Sequence, residues 1–308
     1  MKNDIFKRKF KIKENKLGYE YMYEMTRRKR RKSPVVLFAA ALLACAVTIS
    51  ALGSCEGAPK TAASSEDENY IASLEANYRA DGGAVNDTVA DSLDKILQNF
   101  NKYPPEYIDL LKRNEETITF VADYIDYKPD KRASIDTSGD LTSGKIPLFI
   151  QWDKRWGYMT YSDAPMCING CGPTALAMVV AGLTGRSDVN PKSIADFAVN
   201  NNYYVKGVGT SWALMSEGAV SYGLTSEELP MSESAVKNAL MDGKPVIASM
   251  KAGTFTDSGH FIVLIGVSDD GSIIIHDPNS YIKSAQTWDF SVFQNEARNF
   301  WAFSKAAT

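Results

Sequence analysis

The apolar positions of this chain change period along its length. Up to about residue 241 they recur at helical spacing, and after that they gather into short strand-length runs. Ile71, Leu74 and Tyr78, followed by Val89, Leu93, Ile96, Leu97 and Phe100, suit two amphipathic helices broken at Gly82-Gly83. Pro104-Pro105 opens a helix through Ile108, Leu110 and Leu111 to Asn114, and a second runs from Glu115 through Ile118, Phe120, Val121 and Tyr124. A polar Gly/Ser-containing stretch covers residues 128–144, and compact structure resumes at Ile146-Pro147-Leu148-Phe149-Ile150-Gln151. Further helices are predicted from Pro173 to about Leu183, near residues 192–200, near 211–222 and over 232–241. Residues 246–250, 261–267 and 273–276 are β-branched or apolar runs of strand length, with 287–289 and 299–303 as closing strands. Helices first and an antiparallel sheet afterwards make an α+β domain. No internal repeat is visible.

Charge divides the chain further. The formal net charge is −3, but residues 1–33 hold 13 Lys/Arg against 4 Asp/Glu, and the remainder holds 21 against 33. An acidic body without a basic stripe argues against nucleic acid as a partner, because that binding rests on clustered cations displacing counterions from phosphates. From Pro34 to Ser54 there is no charged residue, and the run is long enough to cross a bilayer of about 30 Å. The cluster Arg27-Arg28-Lys29-Arg30-Arg31-Lys32 precedes it, and clustered positive charge holds its flank in the cytoplasm, so the C-terminal body is expected outside the cell. Two forms of attachment stay open: an uncleaved signal anchor over 34–54, or a signal cleaved near Leu52-Gly53-Ser54-Cys55 with Cys55 lipidated. The expected organisation is a basic cytoplasmic segment (1–33), the membrane segment (34–54), an acidic spacer and helical stalk (55–103), and a folded domain (104–308). Within the spacer, residues 56–69 read as flexible. Only Cys167 and Cys171 lie in the exported body, which is no disulfide scaffold.

The chemistry concentrates in two stretches. In Asn169-Gly170-Cys171-Gly172-Pro173-Thr174, Pro173 marks the first turn of a helix and so places Cys171 at its N-terminus. Unsatisfied N–H groups and the positive end of the helix dipole favour a thiolate there, and the flanking glycines would let a substrate carbonyl approach the backbone. The second stretch runs from Ser258-Gly259-His260 through the apolar residues to Val267, then Ser268-Asp269-Asp270-Gly271, then Ser272 to His276-Asp277-Pro278. Two strands joined by a short Asp/Gly turn make a hairpin. With residues 268–271 as the loop, Val267 opposes Ser272 and Asp277 opposes Ile262. Alternation then leaves Asp277 diagonal to His260, at about 7–8 Å between backbones and within side-chain reach. An imidazole oriented by a carboxylate is what a nucleophilic cysteine needs as its base. His276 faces the other way and is read as structural. Cys167, Cys171, His260 and His276 do not make a zinc motif, because the histidines stand sixteen positions apart where about three to five intervening residues are usual. No metal and no cofactor are expected.

Taken together, Cys171-Gly172-Pro173-Thr174 with Ala177-Met178, then Gly259-His260-Phe261, Gly266 and Asp277-Pro278, resemble the papain-like bacteriocin-processing peptidase group and its secreted relatives. The resemblance covers roughly residues 104–305. It implies a papain-like fold, Cys171 as nucleophile, His260 as general base and Asp277 as third member of the triad. It also implies an oxyanion-stabilising glutamine upstream of the cysteine, for which Gln151 is the candidate, although it stands twenty positions before Cys171 where the shortest family pattern has only a few. Three functions are open: hydrolysis of a peptide or amide bond in a protein, propeptide or peptidoglycan cross-bridge; acyl or peptidyl transfer at the same site; and a surface binding module without catalysis.

Overall fold

The structure, a computed structural model, describes residues 64–129 and 134–307. The basic segment, the apolar run 34–54, Cys55 and the first part of the spacer lie outside the described residues. Among the described residues no helix is long and apolar enough to cross a membrane. The chain divides into two compact units, Met1–Pro105 and Glu106–Thr308.

In the first unit, α1 (Ser65–Asp81) and α2 (Ala84–Gln98) pack on each other through Ile71, Leu74, Tyr78, Val89, Leu93 and Ile96, all buried. The break at Gly82-Gly83 falls where the pattern put it. The helix starts earlier than the composition suggested. Ser64 and Asp67 form a reciprocal capping box, and Glu66, Asp67 and Glu68 occupy the first turn, where carboxylates are favourable. The acidic end of the spacer is therefore helix, because its charges suit a helix N-terminus. Arg79 ties the pair together through Glu75, Asp91 and Asp94.

The second unit opens with α3 (Pro105–Arg113), a single 3₁₀ turn at Glu115–Thr117, and α4 (Ile118–Asp123). A two-stranded ribbon, β1 (Thr160–Tyr161) and β2 (Ala164–Pro165), leads through the short α5 (Met166–Asn169) into α6 (Cys171–Thr184). Every residue from Gly172 to Ala181 is buried, so α6 is a core helix covered all round; it ends at Gly185 in the left-handed region (φ 73°). Next come α7 (Pro191–Asn200), a second ribbon of β3 (Tyr204–Val205) and β4 (Gly209–Thr210), and β5 (Leu224–Leu229). The helix expected near 211–222 is only one wide turn at Leu214–Gly218. After α8 (Glu233–Met241), capped by Ser232, come β6 (Val246–Met250), β7 (His260–Val267) and β8 (Ile273–His276). The chain closes with α9 (Tyr281–Ser284), β9 (Thr287–Trp288), α10 (Phe290–Glu296) and β10 (Ala297–Lys305).

The six-stranded sheet has the order β5-β10-β6-β7-β8-β9, every pair antiparallel. Alternate residues feed two cores. Ile247, Phe261, Val263, Trp301 and Phe303 pack with α6 and α7 in one cluster. Val246, Ala248, Ile262, Leu264, Phe300 and Ala302 pack with Val236 and Leu240 of α8 and with Phe290 and Phe293 of α10 in the other. Because β6 is buried on both faces, its whole sequence is apolar apart from Ser249. β5 lies at the sheet edge with Thr225, Glu227 and Glu228 exposed, which hid it from a reading based on apolar runs.

Candidate active site

Cys171 is the first residue of α6 and is half-buried. No side chain caps this terminus; Gly170, at φ −80° and ψ 5°, joins it to α5. Both flanking glycines answer to packing. A Cβ on Gly170 would lie 2.4 Å from the Met166 carbonyl oxygen, and one on Gly172 would meet three Thr210 side-chain atoms at 2.6–2.7 Å. Their missing side chains leave room for α5 and the β3–β4 ribbon. Tyr161 also faces this corner: its hydroxyl pairs with Thr210 Oγ1 at 3.0 Å, and burial, with the negative charge of a Cys171 thiolate adding to it, pushes its pKa up.

His260 opens β7, paired with Met250, and is 7% exposed. Its Nε2 donates to Asp277 Oδ1 at 2.7 Å, and Cys171 lies close enough to act on the charge of the ring. Burial alone would strip the proton from this imidazole. Asp277, and Cys171 after it, outweigh that and push the His260 pKa up to about 10.

Asp277 is fully buried just beyond the end of β8. Its Oδ1 also accepts from the Asn279 N–H at 2.8 Å, its own N–H donates to Ser284 Oγ at 2.8 Å, and Oδ2 has no hydrogen-bond partner. The strand register explains how it reaches His260. Val263 pairs with His276 and Leu264 with Ile275, which carries Ile262 opposite Asp277 as expected from the sequence. Nearer the turn the pairing is offset by one: Val267 opposes Ile273, not Ser272, and a bulge at Ile265 takes up the difference. The turn is one residue tighter than expected, with Ser268 N–H bonding Ser272 O at 2.8 Å and Gly271 at φ 84°.

Gln151 is 4% exposed and joins the two sides of this corner. Its side-chain Nε2 donates to the Cys167 carbonyl at 2.8 Å, in the turn just before Cys171, and its backbone N–H donates to the Pro278 carbonyl at 2.7 Å, just after Asp277. The long sequence gap is thus closed in space. Cys171, His260, Asp277 and Gln151 converge from four separate segments.

A family model described as Peptidase_C39 like matches residues 144–308. The chain belongs to that family. It is accordingly a cysteine peptidase of papain-like α+β fold, acting on peptide or protein. No curated protein matches the chain. Two further residues of this C39-like peptidase invite a role on sequence grounds. His276 is half-buried with Nδ1–H on the Pro147 carbonyl at 3.1 Å, and burial pushes its pKa down to about 4, which suits a neutral structural ring. Cys167 is fully buried, next to the Tyr107 hydroxyl, with burial pushing the thiol up to about 12. Among the described residues no group of three or more His, Cys, Asp or Glu is placed to hold a metal ion.

Sequence reasoning missed Tyr161, Thr210, Asn114 and Glu116. The Asp-Pro-Asn-Ser run at 277–280 carries a turn signature that would have revealed the Asp277–Asn279 bond. Asn114 caps the turn at Glu115–Thr117 locally, but the bonds that Tyr161, Thr210, Asn114 and Glu116 make to distant segments leave no local signal.

Proposed function

We propose that the peptidase works through a Cys171–His260–Asp277 triad and a thioester acyl-enzyme. The observation that carries this reading is the His260 ring, held at Nε2 by Asp277 at 2.7 Å with Cys171 as a neighbour that acts on its charge. His260 takes the thiol proton at Nδ1, and the Cys171 sulfur attacks the scissile carbonyl. The tetrahedral intermediate collapses to a thioester as the imidazolium protonates the departing amine. Water, deprotonated by the same ring, then attacks the thioester and releases the carboxylate product and the thiol. Asp277 holds the ring with Nδ1 turned toward the sulfur and stabilises the imidazolium. The Gln151 amide has two N–H groups, one of which is engaged by the Cys167 carbonyl; the other, with the Cys171 backbone N–H, serves the developing oxyanion.

The uncharged run 34–54 behind six consecutive cations supports attachment to a membrane, with the peptidase unit on the extracellular face. Peptide segments of secreted proteins or of the cell wall are the substrates such a position offers.

The test is the rate of alkylation by iodoacetamide at neutral pH, mapped to each cysteine. Cys171 should react much faster than Cys167, and His260→Ala should slow Cys171 without affecting Cys167. Equal rates at the two thiols, or indifference to His260, would refute the triad. Offering a peptide amine during turnover separates hydrolysis from peptidyl transfer.

A further inference from the structure

The segment that carries Asp277 is held by residues that lie before the family match. From Asp277 to Ser284 the chain forms a turn and the short α9, and two side chains from the α3–α4 junction reach into it. Asn114 Nδ2 donates to the Asn279 carbonyl at 2.6 Å, while Asn114 Oδ1 accepts the Glu116 N–H at 3.1 Å. Glu116, 5% exposed, accepts from the Ser280 hydroxyl at Oε1, and from the Tyr281 and Ile282 N–H groups at Oε2, at 2.8 and 3.2 Å. Ser284, at the far end of α9, passes the constraint back by accepting the Asp277 N–H. The other holds on this loop, Gln151 N–H on Pro278 O and Trp152 Nε1 on Asn279 O at 3.1 Å, come from within the matched region.

We propose that Glu116, seconded by Asn114, is a positioning residue for catalysis, fixing through hydrogen bonds to residues 279–282 the place from which Asp277 orients His260. The proposal rests on the triad reading above. A buried carboxylate without a task is costly, and here burial raises the Glu116 pKa while the three donors work the other way. An apolar residue would fill the space without that penalty, but it could not hold a loop whose backbone N–H groups point inward. The charged and titratable groups around this corner are Asp277 with His260 behind it, Tyr281, Asp153, Arg155 and Asp140. None of them replaces the contacts Glu116 makes to Tyr281 and Ile282. The catalytic unit therefore includes Asn114–Glu116 as a working part, upstream of residue 144 where the match begins.

The experiment measures the rate of Cys171 alkylation by iodoacetamide across pH in the full-length protein, with thermal midpoints recorded alongside. Glu116→Ala should slow the reaction at neutral pH by about tenfold or more and move the rate–pH curve to higher pH, as misplacement of a remote support can do. Glu116→Gln should stay within about twofold, since its Oε1 can accept both N–H groups and its Nε2 can donate to Ser280 Oγ. Leu111→Ala, a cavity in the buried face of α3, should lower the thermal midpoint and leave the rate unchanged. The proposal is overturned if Glu116→Ala reacts like the parent, if the glutamine is as slow as the alanine, or if Leu111→Ala slows the thiol equally. A parent protein whose Cys171 ignores His260 would instead sink the triad itself, so the two failures are distinguishable.

Discussion

The two sides of the active corner are built from opposite materials. Cys171 rides on α6, a helix with no charged side chain whose next ten residues are all buried. Asp277 sits in a polar corner where it exchanges hydrogen bonds with the half-buried Asn279 and Ser284, and where buried Glu116 bonds buried Ser280. The apolar side is held by packing, which is non-directional and tolerates small changes of shape. The polar side is held by directional bonds, each of which leaves a buried group unsatisfied when its partner is removed. Cys171 can thus be altered without disturbing its support, whereas Asp277 cannot.

That contrast can be broken most directly at Cys171. Cys171→Ser should abolish turnover yet keep unfolding free energy within about 1 kcal/mol of the parent, because a half-buried helix terminus carries little of the core; denaturant titration beside a peptidase assay decides it. A large stability loss would make Cys171 a packing residue. On the polar side, Asp277→Asn should lower kcat by on the order of a hundredfold or more, since the charge facing the imidazole is lost, and should also lower the unfolding midpoint, since the amide NH2 would sit where Oδ2 now lies buried with no partner to accept from it. Activity falling with stability untouched would erase the distinction drawn here.

Gly172→Ala sharpens the comparison from the packing side. Overpacking against Thr210 should cost about 1–3 kcal/mol, and Thr210→Gly in the same chain should recover most of it. The smallest effect is pH-dependent. His260 binds its proton more tightly in the folded protein, with a pKa of about 10 against an ordinary 6.5. Its contribution to stability is whole below pH 6.5, declines as the pH climbs from there toward 10, and is absent above that. Thermal midpoints of the parent should fall over this window more steeply than those of His260→Ala, and Cys171→Ser should lie between them.

How much of this could be read in the sequence follows the same division. Helix α6, its glycine stop and strands β6, β7 and β8 were legible because packing leaves a periodic apolar signature. The Cys171 and His260 assignments followed from it, and the diagonal placement of Asp277 came from strand alternation alone. Edge strand β5, the β3–β4 ribbon and the Asn114–Glu116 clamp were not legible. An edge strand can be polar on its open side, and a hydrogen bond between Glu116 and Ser280 leaves no trace in the spacing of either segment. Gln151 was named because of the resemblance, and its contacts with the Cys167 and Pro278 carbonyls arise only when both neighbouring segments fold against it.

The bulge at Ile265 behaves like the slip joint of a telescope. Because one surplus residue in β7 accommodates the one-residue offset between turn and strand, the far end of the ribbon keeps Ile262 opposite Asp277. The imidazole and its carboxylate stay in step because that single surplus residue absorbs what the turn at 268–272 sets.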